Sequence, residues 1–206
     1  MDKKLIDQFW QRRAEQGDGR WTEKSMLDHE LALLSPYVVP GCRILDLGSG
    51  SATLSIRLMG PSSTLTAVDK YSGFLDSIPP APRITTRCSD VVDFDYPSSY
   101  DLILLFGVVT HLDVAEELKV YEKAANGLAD SGVLVVKNQV SRAEEKSVDG
   151  YSETLQCHYV GRYPDIPGQL TRLKRFFGKV EVHSYPSQFD KWPDTQHVCF
   201  FCSGNC

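Results

Sequence analysis

The sequence predicts an α/β fold organised on a mostly parallel sheet, and three observations carry that expectation. Short apolar runs alternate with helical segments along most of the chain. One of these runs, "RILDL" at 43–47, leads straight into a turn with two glycines, "GSGSA". The chain's 206 residues, 42% of them hydrophobic, suit one well-buried core, so a single domain is expected over 1–206.

The elements follow in order. Residues 1–36 read as a helical cap, and over 22–34 Met26, Leu27, Leu31 and Leu34 recur along one face of an amphipathic helix. The first strand is expected at 43–47 and a helix at 51–58 after the glycine turn. Strands at 65–68 and 84–87 come next. They are joined through "DSIPPAPRI", a Pro-rich crossover with little room for a full helix. A strand at 102–106, a helix at 115–128 and a strand at 133–137 continue the alternation. Residues 139–167 are then a long insertion carrying Tyr151, His158, Tyr159, Arg162 and Tyr163. Loops of that length in compact domains are often functional, and this one is expected over the acceptor site. A helix at 169–176 stands between Pro167-Gly168 and Gly178. Strands at 180–183 and 198–201 close one sheet edge as an antiparallel pair.

The formal charge of −5 argues against a general electrostatic grip on nucleic acid. The one basic cluster, "RLKRFF", reads as the solvated face of a late helix. No apolar run approaches the ~20 residues that span a bilayer. The front segment also lacks the apolar stretch of a signal peptide, so a cytoplasmic protein is expected. The six cysteines read as reduced thiols. Cys42 and Cys88 fall in apolar strand-like runs. The tail "CFFCSGNC" has no second Cys/His pair at finger spacing, so no metal is expected.

The turn after the first strand is the informative one. Gly48 and Gly50 suggest the dinucleotide fingerprint G-x-G-x-x-G, but its sixth position is Thr53. Asp46, just before the glycines, is a poor neighbour for a pyrophosphate and suits a ligand with a cationic amine or sulfonium. Asp69, followed by Lys70, ends the second strand 23 residues on (69 − 46) and is placed to take both ribose hydroxyls. Asp90 follows the third strand, where a carboxylate accepts from an adenine amino group while Val91 packs on the ring. Phe106 and Gly107 end the fourth strand, where the order of the sheet reverses.

Together "LDLGSGSA", "LTAVDK", "RCSDVVDF", "YDLILLFG" and "SGVLVVK" resemble the class I S-adenosylmethionine-dependent methyltransferases over about 44–137. Ala52 stands where many members of that family carry a third glycine. The resemblance implies a Rossmann-like sheet of seven strands, mostly parallel with an antiparallel last strand, and helices on both faces. It also implies S-adenosylmethionine as cofactor and S-adenosylhomocysteine as product. Gly48 and Gly50 would lie against the methionine portion and Asp46 near its amino group. Asp69 and Lys70 would serve the ribose end, Asp90 and Val91 the adenine, and Phe106 and Gly107 the crevice floor. Arg20 and Trp21 would cover the cofactor, with Arg20 on the methionine carboxylate.

Methyl transfer from a sulfonium is an in-line displacement, so catalysis is largely placement plus removal of the acceptor's proton. The place that marks amino-directed nucleic-acid enzymes of this fold reads "FGVV", and Phe106 does not fit the acid of metal-dependent catechol-type enzymes. His111 in "VVTHLD" is the base candidate, since an ordinary pKa near ~6.5 lets histidine take a proton at neutral pH. Asn138 in "VVKNQV" is expected to orient the acceptor, and His158 is a second base or contact candidate. The pair "GVVTHL … VVKNQV" is also similar to the protein α-N-terminal methyltransferases, although their acids after strand five have no aligned counterpart here. A basic and aromatic insertion suits a sugar, phosphate or carboxylate. The expectation is metal-independent transfer to a hydroxyl of a sugar, glycan or similar small polar acceptor. N-methylation of an amine, such as a peptide N-terminus, is the alternative, and a nucleotide-binding regulator without turnover is the non-enzymatic one.

Overall fold

A computed structural model describes residues 1–17, 24–97 and 99–205. Its strands are β1 (Arg43–Leu47), β2 (Thr64–Asp69), β3 (Ile84–Cys88), β4 (Tyr100–Phe106), β5 (Leu128–Ser141), β6 (Lys146–Ser152), β7 (Cys157–Tyr163), β8 (Phe177–Ser184) and β9 (Thr195–Asn205). Its helices are α1 (Lys3–Glu15), α2 (Lys24–Leu34), α3 (Thr53–Leu58), α4 (Ser72–Leu75), α5 (Val114–Gly127) and α6 (Ile166–Leu173). Seven strands form one sheet in the order β3-β2-β1-β4-β5-β9-β8. Strands β1 to β5 pair in parallel, and β9 runs antiparallel to both β5 and β8. The sheet is the expected one: seven strands, mostly parallel, with the last strand antiparallel and helices around it. Because β1 lies between β2 and β4, the winding reverses there, and the carboxyl ends of β1 and β4 mark the switch point at which open α/β sheets bind ligands.

Strand alternation sorts side chains into two cores. On one face Leu45, Leu47, Ile103, Leu105 and Val136 pack with Val120, Tyr121 and Ala124 of α5 and Leu173 of α6. On the other, Ile44, Leu102, Leu104 and Val135 pack with Met26 and Leu34 of α2 and Leu58. Central strands buried on both faces explain the unbroken apolar run "LILLF". Cys199 and Cys202 are buried in opposite cores, as their odd spacing on β9 requires. Cys88, by contrast, is exposed, because β3 is the sheet's edge strand. Among the described residues, no helix is long and apolar enough to cross a membrane.

The expected helical cap includes a full helix, α1, started by the Asp2 side chain accepting from Leu5 N–H. Sequence and structure differ most at two places. Helix α6 begins at Ile166, three residues earlier than expected, because Pro167 sits inside the first turn rather than before it. Asp165 caps that turn by accepting from Gly168 N–H at 2.6 Å. The insertion is no loop. It is a hairpin of β6 and β7 in register from Lys146↔Tyr163 to Ser152↔Cys157, while β5 itself runs on to Ser141.

Candidate active site

The glycine turn is shaped by backbone needs. Gly48 has φ +72°, and a Cβ there would lie 2.3 Å from Val108 Cγ2, so only glycine fits. The Gly48 and Ser49 amides both donate to the Val68 carbonyl, which pins the turn to the end of β2. Gly50, also left-handed, donates its N–H to Asp69 Oδ2 at 2.8 Å. Ala52 adopts φ +52°, a strained region for an L side chain. Its buried methyl group offsets part of that strain.

Two acids flank this turn. Asp46 is buried and accepts from Ser55 Oγ at 2.6 Å. Burial pushes its carboxyl up to about 7, and the nearby Asp69 adds to the rise. Asp69 is likewise raised by burial, although the Tyr71 and Gly50 amides bind its charged form. A buried acid pair short of cationic partners is suited to a ligand with an ammonium and hydroxyl donors. Asp90 lies beyond, its Oδ1 accepting from Val92 N–H and its Oδ2 standing 3.4 Å from Lys70 Nζ. Val91 beside it is buried. Helix α1 joins this corner through Asp7, which accepts from Lys70 Nζ at 2.7 Å and from Tyr71 OH at 2.8 Å.

His111 ends a 3-10 turn just past β4, beyond Phe106 and Gly107. The Gly107 N–H donates to the Lys137 carbonyl at 2.8 Å, which fastens this loop to β5. Trp10 of α1 and Tyr159 of β7 stand edge-on to the imidazole, with centroids at 5.4 and 5.9 Å. The ring bonds the Val160 backbone, whereas its Nδ1 is buried with no hydrogen-bond partner among the described residues. Burial pulls its pKa down to about 4, against the raising effect of that backbone bond. His111 therefore holds a neutral imidazole with a free lone pair at physiological pH.

The other expected acceptor residues are placed differently. Asn138 faces the α5/α6 core, where it exchanges two amide hydrogen bonds with Gln169, both 3.1 Å, and Gln169 in turn donates to Tyr121 OH. Its amide is buried in this core and bonded at both ends, so the structure places it among α5 and α6 side chains. His158 lies on the exposed side of the hairpin, 2.6 Å from Asp149 Oδ1. It is not brought to His111, because its neighbour Tyr159 takes the inward position. Arg162 is also not a free basic group. With Arg172 it grips Glu117 and Glu145, and its Nε donates to the Leu112 carbonyl. This buried network anchors the hairpin to α5, so Arg172 is not part of a solvated face. Arg20 and Trp21 lie outside the described residues.

Sequence reasoning missed a second cluster. Lys137 Nζ lies 3.3 Å from Glu30 Oε1 and 3.7 Å from Met26 Sδ, beside the Tyr185 ring. Tyr185 OH reaches both Glu30 and Cys199 Sγ. Strand period was the available signal: in "VVKNQV", Lys137 shares the face of Val135, while Asn138 takes the opposite one.

Strand order, glycine turn and flanking acids define a class I, Rossmann-like methyltransferase fold. Comparison with known proteins agrees: residues 45–136 match the family described as a methyltransferase domain. A curated relative, malonyl-[acyl-carrier protein] O-methyltransferase from Geobacter sulfurreducens, is 28% identical over 176 residues, covering 79% of this chain. The match spans 60% of that relative's length. Among solved structures, 1,6-didemethyltoxoflavin-N1-methyltransferase from Burkholderia thailandensis, with its acceptor and S-adenosylhomocysteine bound, has a TM-score of 0.73 at 15% identity. That alignment covers 98% of this chain and 88% of the other. The N-terminal domain of EvdMO1, crystallised with S-adenosylhomocysteine and D-fucose, has a TM-score of 0.68 at 18% identity, covering 99% and 97%.

Proposed function

We propose that the protein is a metal-independent S-adenosylmethionine methyltransferase that methylates a hydroxyl on a sugar or similar small polar acceptor. The observation that carries this reading is His111: a neutral imidazole beside the switch-point crevice whose Nδ1 is buried and unpartnered. S-adenosylmethionine supplies an electrophilic methyl group on a sulfonium. Asp46 receives the cofactor's amino group, Asp69 its ribose, and Asp90 with Val91 its adenine. Lys70 steadies the adenosine end through Asp7 and Asp90. Phe106 and Gly107 floor the crevice, and His111 takes the acceptor's proton as its oxygen attacks in line. The curated relative is named an O-methyltransferase, which supports an oxygen acceptor, while the solved N-methyltransferases of this fold make the amine the alternative tested below.

The test is release of S-adenosylhomocysteine with a sugar panel that includes D-fucose, against benzylamine and a free peptide N-terminus, with and without EDTA. Turnover with a sugar, unchanged by EDTA, is expected. Turnover with the amines alone would replace this reading by N-methylation.

A further inference from the structure

We propose that Glu30 and Lys137 form an acceptor-holding wall of the crevice, with the acceptor hydroxyl bound between them. Lys137 Nζ donates to the hydroxyl oxygen and the Glu30 carboxylate accepts its O–H. This rests on the methyltransferase reading and adds the group that positions the acceptor opposite His111.

Position is the first argument. Lys137 pairs with Phe106 across the β4–β5 ladder, and its carbonyl holds Gly107, so it stands level with the carboxyl end of β4 at the switch point. Its side chain points to the α2/α3 face, the same face on which Ser55 meets Asp46. Energetics is the second. The side chains of Lys137 and Glu30 are only 13% and 3% exposed. Desolvating two such charges is costly, and well-packed apolar residues would hold α2 to the sheet at least as well. The pair stands level with the carboxyl end of β4, where open α/β sheets bind ligands, and a ligand hydroxyl there would satisfy both charges.

Charge supplies the selectivity. The pair is neutral overall, so it gains little from a carboxylate or an ammonium. A hydroxyl, which donates and accepts at once, satisfies both partners. Tyr185 OH, 3.4 Å from Glu30 Oε1, holds the carboxylate in place.

Sinefungin tests this, because it carries a carbon in place of the sulfur and an amine in place of the transferred methyl group, so the amine projects into the acceptor site. Affinities for sinefungin and S-adenosylhomocysteine are compared by calorimetry for the wild-type chain, Glu30→Gln and Lys137→Met. Glu30→Gln should weaken sinefungin about tenfold relative to S-adenosylhomocysteine, through loss of one charge-assisted contact. Lys137→Met should strengthen it several-fold by removing a like charge. A merely structural role cannot move the ratio in opposite directions. Ratios unchanged within about twofold, or equal loss of both ligands in both variants, would overturn the inference. Wild-type binding of S-adenosylhomocysteine reports separately on the methyltransferase reading, and its absence would overturn both.

Discussion

Asp69→Ala should lower affinity for S-adenosylhomocysteine at least ~100-fold. A carboxylate that takes two ribose hydroxyls makes two charge-assisted hydrogen bonds, each worth about 1.5–3 kcal/mol. The same carboxylate receives the amides of Gly50 and Tyr71, so the substitution also loosens the turn that shapes the methionine end. Asp69→Asn keeps the size and one acceptor, and should fall between. Calorimetric titration measures both. An Asp69→Ala variant that binds within threefold of wild type would remove Asp69 from the pocket.

His111→Ala should reduce turnover about 10²- to 10⁴-fold, the usual contribution of a placed general base. Affinity for S-adenosylhomocysteine should stay within threefold, because the imidazole serves the acceptor. The pH behaviour is distinctive. Burial holds the folded pKa near 4, below the ordinary 6.5, so the proton-accepting form persists well into mildly acid solution. On account of this group, activity is flat above about pH 5 and falls only as pH drops toward 4. Stability follows the same sign. Protonation favours the unfolded chain, so the contribution is complete above pH 6.5 and is lost as pH falls toward 4. His197, also drawn down to about 4 by burial, adds to that acid sensitivity.

The proposed cofactor half of the site is local in the chain. Gly48, Gly50 and Asp46 lie within one strand-turn unit, and Asp69 ends the next strand. Chemistry, spacing and backbone requirement coincide there. The acceptor half is assembled from distant segments. Glu30 meets Lys137 only because α2 packs across β5, and Trp10 meets His111 only because α1 folds back over the β4 end. Strand alternation puts Asn138 and Lys137 on opposite faces of β5, which single-residue reasoning did not use. The hairpin escaped notice because "KSVDGYS" and "CHYVGRY" carry weak alternation, and burial of Arg162 depends on Glu117 some 45 residues away. Edge strands and long-range ion pairs leave little local trace.

The most direct test of the cofactor assignment is a calorimetric titration of the wild-type chain with S-adenosylhomocysteine and with NAD between pH 6 and 8. Burial raises Asp46 to about 7, and the cofactor's ammonium needs its carboxylate form, so binding must release that proton at lower pH. S-adenosylhomocysteine should bind and tighten as pH rises toward 7, by up to about tenfold per unit, then level off. NAD should not bind. Binding of NAD alone, or an S-adenosylhomocysteine affinity that does not change with pH, would contradict the placement of Asp46 and the turn that follows it.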